Sequence, residues 1–310
     1  MSKEEDLEWT GERLVTQVTN LHGTIEHLHR YAIALSYANN KVVLDIACGE
    51  GYGSGLLATK ANKVFGVDIS SAAVKHARKK YKLPNLEFRV GSTSKIPIDD
   101  FYVDLVISFE TIEHHDAHDE MMKEISRVLK PGGMLIISSP EKSIYKERDP
   151  NNPFHIKELE LNELQKLLQK YFKHLKIYTQ QYVTGSMITL NDLNQSGTFG
   201  FYDGDFKSIK QNLDPGIFYN IPYFNVVLCS NRIIDISNEP IEIASFFNGY
   251  KIYESEMNEL RRIYDSDISK TRNLYMKSVR YKLGNFILKP LYLIKTLCKL
   301  GDNNSNNYEK

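Results

Sequence analysis

Residues 42–55 read VVLDIACGEGYGSG, and this stretch restricts the fold more than any other. Val42, Val43, Leu44 and Ile46 form a short apolar, β-branched run, the pattern of a parallel strand buried on both faces. Gly49, Gly51 and Gly53 follow at alternate positions, where the backbone can turn sharply and approach a ligand closely. Leu56, Leu57 and Ala58 then start a helix. Strand, glycine-rich loop and helix in this order place a nucleotide-cofactor site at the carboxyl end of a parallel sheet. The competing reading, a glycine turn that holds nothing, has to explain the acidic residues around it.

Charge decides which nucleotide fits. A dinucleotide fingerprint counted from Gly49 needs a third glycine where Ser54 stands. Asp45 near the strand's end and Glu50 within the loop would both repel a pyrophosphate. They suit a ligand with an ammonium group and no phosphate, as S-adenosylmethionine has. Asp68 ends the next strand, over 64–68, and is placed to accept hydrogen bonds from ribose hydroxyls.

At 310 residues the chain can hold one medium domain and an appendage. The net charge is zero, so no global field draws it to nucleic acid, and the expectation is that it binds none. Cys48, Cys229 and Cys298 lie far apart without metal-ligand spacing, as in a reducing compartment. The opening MSKEEDLEWT is acidic and unlike a signal peptide, and no apolar run is long enough for a bilayer. A cytoplasmic protein is expected.

Periodicity predicts a helix over 24–38, with Ile25, Leu28, Tyr31, Ala32 and Leu35 on one side. A capped basic helix is expected over 71–81, then strands over 86–90 and 103–109. A helix over 117–129, a KPGG turn and a strand over 134–139 follow. The last elements are a helix over 161–171 and an antiparallel pair of strands over 172–179 and 224–229. Between that pair, residues 185–222 form an aromatic-rich insertion, read as a lid over the substrate or, in competition, a subunit contact in a homo-oligomer.

The chain resembles the class I S-adenosylmethionine-dependent methyltransferases over roughly 9–232. The resemblance rests on LDIACGEGYGS, GVDIS, VDLVISFETIEH, RVLKPGGMLIISSP and NPFHIKEL, in matching order and spacing. It implies an α/β, Rossmann-like seven-stranded sheet with helices on both faces, over 41–235. A lid or helical segment over 1–40 precedes it, and a mostly helical, basic amphipathic extension over 236–310 follows. It further implies that Asp45, Gly49, Gly51 and Asp68 bind the cofactor, with Ile69 and Phe109 beside them. Ser92 stands where relatives often hold adenine with an acid, and Arg30 and Tyr31 would lie near the methionine end. The competing reading makes Tyr31 core and Arg30 a solvated charge. Glu12 and Arg13, in WTGER, recur in similar proteins without an assignable task.

Methyl transfer from a sulfonium needs alignment, exclusion of water and, for a hydroxyl acceptor, removal of a proton. The fourth strand's end carries Glu110, Glu113 and His114, which share one side if a helical turn follows Phe109. Such a set suits Mg²⁺ or Mn²⁺, which would lower the pKa of a bound hydroxyl. It is similar to the Glu-x-x-Glu-His motif of ubiquinone-pathway and small-RNA methyltransferases, and His155 could add a ligand. Two other readings stay open: His114 as a metal-free base, and purely structural roles. His115, Asp116 and His118 are expected in a solvated turn.

The resemblance thus implies an O-methyltransferase acting on a small-molecule or glycan acceptor, by association in surface-polysaccharide assembly. A quinone-precursor enzyme and a catalytically inactive cofactor-binding scaffold are the rivals. Residues 270–300 carry eight basic and no acidic residues among apolar ones, and are expected to rest peripherally on an acidic membrane face. Packing of that apolar face on the domain or on a second subunit is the alternative.

Overall fold

Buried β-branched runs separated by helices pair into one parallel-rich sheet. The computed structural model describes residues 21–148, 152–181, 201–204, 209–212 and 223–234, with positions 262, 264, 266 and 268–270. In chain order the elements are α1 (Leu21–Ala38), β1 (Val42–Ile46), α2 (Tyr52–Leu57), β2 (Lys63–Asp68), α3 (Ser71–Lys80), β3 (Leu86–Val90) and β4 (Val103–Ser108). There follow a 3₁₀ turn (Ile112–His114), α4 (His118–Val128), β5 (Leu129–Pro140), α5 (Lys142–Arg148), α6 (Leu161–Gln169) and β6 (His174–Gln180). A hairpin of β7 (Phe201–Gly204) and β8 (Ile209–Asn212) precedes β9 (Phe224–Ser230).

Seven strands lie in the order β3-β2-β1-β4-β5-β9-β6. β1 to β5 are mutually parallel, and β9 enters antiparallel between β5 and β6, with Ile136 and Ile177 opposite Leu228 and Val227. This is the Rossmann-like α/β sheet expected. Strand alternation divides the core. Leu44 and Ile46 pack with Met121, Ile125, Leu164 and Leu168 of α4 and α6. Val43 packs with Tyr31, Ala34, Ala38 and Leu57 of α1 and α2. Asp45 is in phase with Val43 and so meets α1 and α2.

Three local expectations are corrected. The helix after the glycine loop starts at Tyr52, not Leu56, so Gly53 lies inside it. A side chain at Gly53 would enter the Tyr31 ring, so this glycine serves helix packing and not the turn. The KPGG segment is no turn between elements: β5 begins at Leu129 directly after α4. A register shift between Val103/Leu129 and Leu105/Met134 absorbs the extra residues. On α1 the buried stripe is Thr24, Glu26, Arg30, Tyr31, Ala34 and Ala38, while Ala32 is exposed. The stripe is polar because it faces the polar tips of the strands, which apolar periodicity cannot reveal.

The chain divides into two compact units, Met1–Gly249 and Tyr250–Lys310. Glu12, Arg13, most of the 185–222 insertion and nearly all of the basic 270–300 segment lie outside the described residues. Among the described residues no helix is long and apolar enough to cross a membrane.

Candidate active site

The glycine loop is held open by one carboxylate. Asp68 at the tip of β2 accepts the Gly49 amide through Oδ2 and the Ser70 amide through Oδ1, both at 2.8 Å. Gly49 and Gly51 take positive φ values of 56° and 91°, which non-glycine residues rarely adopt. Ile69, beside Asp68, is 76% exposed. Ser92 follows β3, its hydroxyl paired with that of Ser94.

Asp45 is buried and accepts hydrogen bonds from Ser54 Oγ at 2.6 Å and the Tyr31 hydroxyl at 3.1 Å. Burial pushes its pKa up to about 6 even though both hydrogen bonds oppose the rise. Glu50 corrects the charge argument. Its carboxylate is fully buried and paired with Lys80 and with His76, so it anchors the loop to α3 and presents no charge to a ligand. Asp45 and Asp68 remain as the carboxylates that disfavour a pyrophosphate.

The Asp45 shift has a measurable consequence. The folded chain holds this proton more tightly than the unfolded chain, so the group's stability contribution falls as pH rises from 3.8 to about 6. A cationic ligand beside Asp45 favours the ionised form. Affinity for S-adenosylmethionine is therefore expected to drop by up to about tenfold per pH unit below that value. Calorimetry across that range, with Asp45→Asn as the pH-insensitive comparison, checks this.

Arg30 is buried and not solvated, with 1% of its surface exposed. Nε donates to Gln180 Oε1 at 2.7 Å, and Gln180 is fixed in turn by donating to the Glu26 carbonyl. The guanidinium lies 4.4 Å over the Phe224 ring, and Nη1 is 3.5 Å from Glu110 Oε1. Among the described residues neither Nη1 nor Nη2 makes a hydrogen bond. Tyr31 is core and site together: it bonds Asp45 and meets Phe109 edge-on at 5.1 Å.

After β4 the chain does not form the α-turn expected. Glu110 has a φ of +47°, and the 3₁₀ turn begins only at Ile112. Glu110 consequently faces Arg30 and takes a 2.6 Å hydrogen bond from Ser138 Oγ, away from the expected ligand set. Its place is taken by His155. Glu113, His114 and His155 each offer one ligand atom, all within 4.8 Å of one another. The loop carrying His155 is docked by the Ile156 and Lys157 amides, which donate to the Glu113 carbonyl at 2.8 and 3.0 Å. Burial first, and then the Glu110 charge, push the Glu113 carboxyl well above the usual range. His118, expected in solvent, is buried at the start of α4 and bonds the His115 carbonyl at 2.7 Å.

A family model described as a methyltransferase domain matches residues 44–137, from β1 into β5. The chain carries a class I S-adenosylmethionine-dependent methyltransferase domain. A protein of Mycolicibacterium smegmatis, described as a probable S-adenosylmethionine-dependent methyltransferase, is 41% identical over 129 residues, 41% of this chain and 49% of its own. One so described from Mycobacterium tuberculosis is 40% identical over 128 residues, 41% of this chain and 46% of its own. The phthiotriol/phenolphthiotriol dimycocerosates methyltransferase of Mycobacterium leprae is 32% identical over 109 residues, 34% of this chain and 40% of its own. The chain spans about half, or less, of the length of these curated relatives.

The matched methyltransferase segment holds the glycine loop, Asp68 and Glu110–His114, while Arg30, Tyr31 and His155 lie outside it. Sequence reasoning named Arg30, Tyr31 and His155 as candidates but missed Gln180, Ser138, Glu141 and Asn225. Glu141 Oε2 accepts from Asn225 Nδ2 at 2.7 Å and from the Leu161 amide at 2.9 Å, tying β9 and α6 to the end of β5. The readable signal was SSPE closing an otherwise apolar strand, polar residues where the methyltransferase sheet opens.

Proposed function

We propose that the chain transfers the methyl group of S-adenosylmethionine to a hydroxyl of a sugar or other small molecule. The observation that carries this is the Glu113–His114–His155 cluster at the tip of β4, on the same sheet edge as the glycine loop and Asp68. In the cofactor half, Asp68 is oriented for ribose hydroxyls, Asp45 for the ammonium group, and the Arg30 guanidinium for the carboxylate. In the acceptor half, the Phe154 carbonyl can only accept, so His114 Nδ1, 3.0 Å away, carries the proton. His114 Nε2 then has the electron pair and faces Glu113 at 3.9 Å. As the acceptor oxygen attacks the methyl carbon, the carbon–sulfur bond breaks and the sulfonium becomes a neutral thioether. The hydroxyl proton leaves toward the cluster. The Mg²⁺ or Mn²⁺ expected there would lower the hydroxyl's pKa, but with His155 in the place of Glu110 the donor set differs from the one that expectation used.

One matched relative is named for a triol acceptor, which supports a hydroxyl as the methylated group. The glycan reading and a role in surface-polysaccharide assembly rest on the sequence resemblance. Mass spectrometry of glycans from cells with and without the protein tests them, the expected result being loss of one methyl increment. Tight cofactor binding with no turnover on any hydroxyl acceptor would point instead to a scaffold.

The 270–300 segment is proposed, on sequence alone, to bind an anionic membrane face from the cytoplasmic side. Co-sedimentation with anionic vesicles is expected at low salt and is expected to vanish on deletion of the residues after Arg280. Each cation contributes about 1 kcal/mol near anionic lipid.

A further inference from the structure

The zero net charge conceals a division along the chain. Residues 41–95, which form β1 to β3 with α2 and α3, carry ten lysines and arginines against four acids. Three of those acids, Asp45, Glu50 and Asp68, are buried, and the fourth, Glu87, pairs with Lys63 and Arg89. Residues 96–128, which include α4, reverse the balance with nine acids against two bases. The positive charge is concentrated on α3. Lys75, Arg78, Lys79, Lys80 and Lys82 are all exposed on this helix or just beyond it, and no acid occurs from Ile69 to Leu86. The helix dipole accounts for the cations of the last turn. It does not account for Lys82, outside the helix, or for Lys75, which stands four residues before Lys79 in a like-charge pair that weakens a helix.

We propose that this face of α3 docks on an anionic lipid surface. Three features select that partner. Tyr81 is the one aromatic residue from Ile69 to Leu86, and it is half-buried toward Gly55 and Phe88, so nucleic-acid bases find no stacking platform. A protein interface is built round an apolar core. Leu83, 40% exposed beside Lys82, is enough for a shallow dip among headgroups and too little for such a core. Four of the five cations are lysines, compact charges on long apolar stems that need no matched acceptor geometry. The helix that carries them is firmly mounted. Val74 and Ala77 pack on Cys48 and Phe88, and Arg78 donates twice to the Phe88 carbonyl, at 2.9 and 2.6 Å. Ser70, which caps α3, follows Asp68 by two residues, so Lys75 lies only about 8 Å along the axis from the cofactor end of the sheet. The contact is separate from the one proposed for residues 270–300, and it sets which side of the methyltransferase domain meets the lipid. Either contact alone gives marginal attachment, and the two together give a stable one. The inference goes beyond the methyl-transfer reading and does not depend on it.

Full-length protein is sedimented at low salt with vesicles of phosphatidylcholine alone and with phosphatidylglycerol-rich vesicles. One variant combines Lys75→Gln, Lys79→Gln and Lys82→Gln. A second combines Lys123→Gln, Lys166→Gln and Lys170→Gln, exposed lysines of α4 and α6 on the other face of the sheet, and changes the net charge equally. With each cation near anionic lipid contributing about fivefold, the α3 variant is expected to bind phosphatidylglycerol-rich vesicles at least about tenfold more weakly than wild type. The α4–α6 variant is expected to stay within about threefold of wild type. Lys82→Gln, outside the helix, is expected to cost about fivefold by itself and supplies the reading should the triple variant fail to fold. Equal losses in the two triple variants would reduce the effect to net charge and overturn the proposal. So would equal binding to both kinds of vesicle, no binding to either, or binding of poly(U) RNA in place of vesicles. Deleting the residues after Arg280 separates the two contacts. Binding lost on deletion but intact in the α3 variant sinks the α3 face alone; the reverse sinks the 270–300 segment alone.

Discussion

Replacing Arg30 with methionine is expected to remove most of the affinity for S-adenosylmethionine while leaving 5′-methylthioadenosine, which lacks the amino-acid end, bound as before. Arg30 is a buried cation with Nε committed to Gln180 and with two terminal nitrogens making no hydrogen bond among the described residues. A carboxylate meets that fork in bidentate geometry. Glu110 at 3.5 Å is too far for a strong bond and is already satisfied by Ser138. Removing one partner of a buried, hydrogen-bonded charge pair costs about 2–5 kcal/mol, or about thirtyfold in affinity at the least. Arg30→Lys keeps the charge but loses the fork, and is expected to fall between the two. Calorimetry with both ligands checks this; an equal loss for both would make Arg30 a packing residue only.

The second large effect concerns Gly53. Alanine is favoured over glycine inside a helix by about 1 kcal/mol, so helix propensity alone predicts that Gly53→Ala and Gly55→Ala both stabilise α2. Space reverses one of these. At Gly55 the new methyl meets Tyr81 Cδ1 at 3.0 Å, and that ring, half-exposed, can give way, so the net effect is expected near zero. At Gly53 the methyl enters the Tyr31 ring, which is 5% exposed and held by Asp45, Phe109 and Tyr52. Overpacking there costs about 1–3 kcal/mol, and loss of the Tyr31–Asp45 bond adds about 1 kcal/mol. Thermal unfolding is expected to show Gly53→Ala about 2–3 kcal/mol less stable, with weaker cofactor binding. Tyr31→Ala should partly suppress the defect, because the clash requires both side chains. Additive losses in the double variant would contradict the packing account.

How much of this was legible depends on whether a feature is local. The sheet could be read because each strand carries its own apolar run, and the Ser70 cap was legible because a capping serine acts on the amide three residues ahead. Asp68 could be read from its position at a strand end. The cluster was half legible. Glu113 and His114 are adjacent, but their third partner depended on the backbone after Phe109. The left-handed Glu110 turned one carboxylate toward Arg30, so that His155, 42 positions after Glu113 and legible only as an added ligand, became the third member. Glu50 misled for a related reason, since its partner Lys80 sits a whole βα unit later. Gln180 and Phe224, which seat Arg30, lie at strand tips joined to it only by the topology.

That topology sets an order of assembly. Among the described residues β9 is the last strand in sequence, yet it is an interior strand in space, filling the gap between β5 and β6. A chain leaving the ribosome has β1–β5 available for pairing long before residues 224–230 emerge. Until they do, β5 has a bare edge, Arg30 lacks the Phe224 ring, and Glu141 lacks Asn225. Closing such distant pairings is slow because the loop entropy is lost before the contacts form. The cofactor pocket therefore matures after synthesis of its own motif is long finished, and chains cut short of Phe224 are expected to be aggregation-prone and unable to hold the methionine end of the ligand.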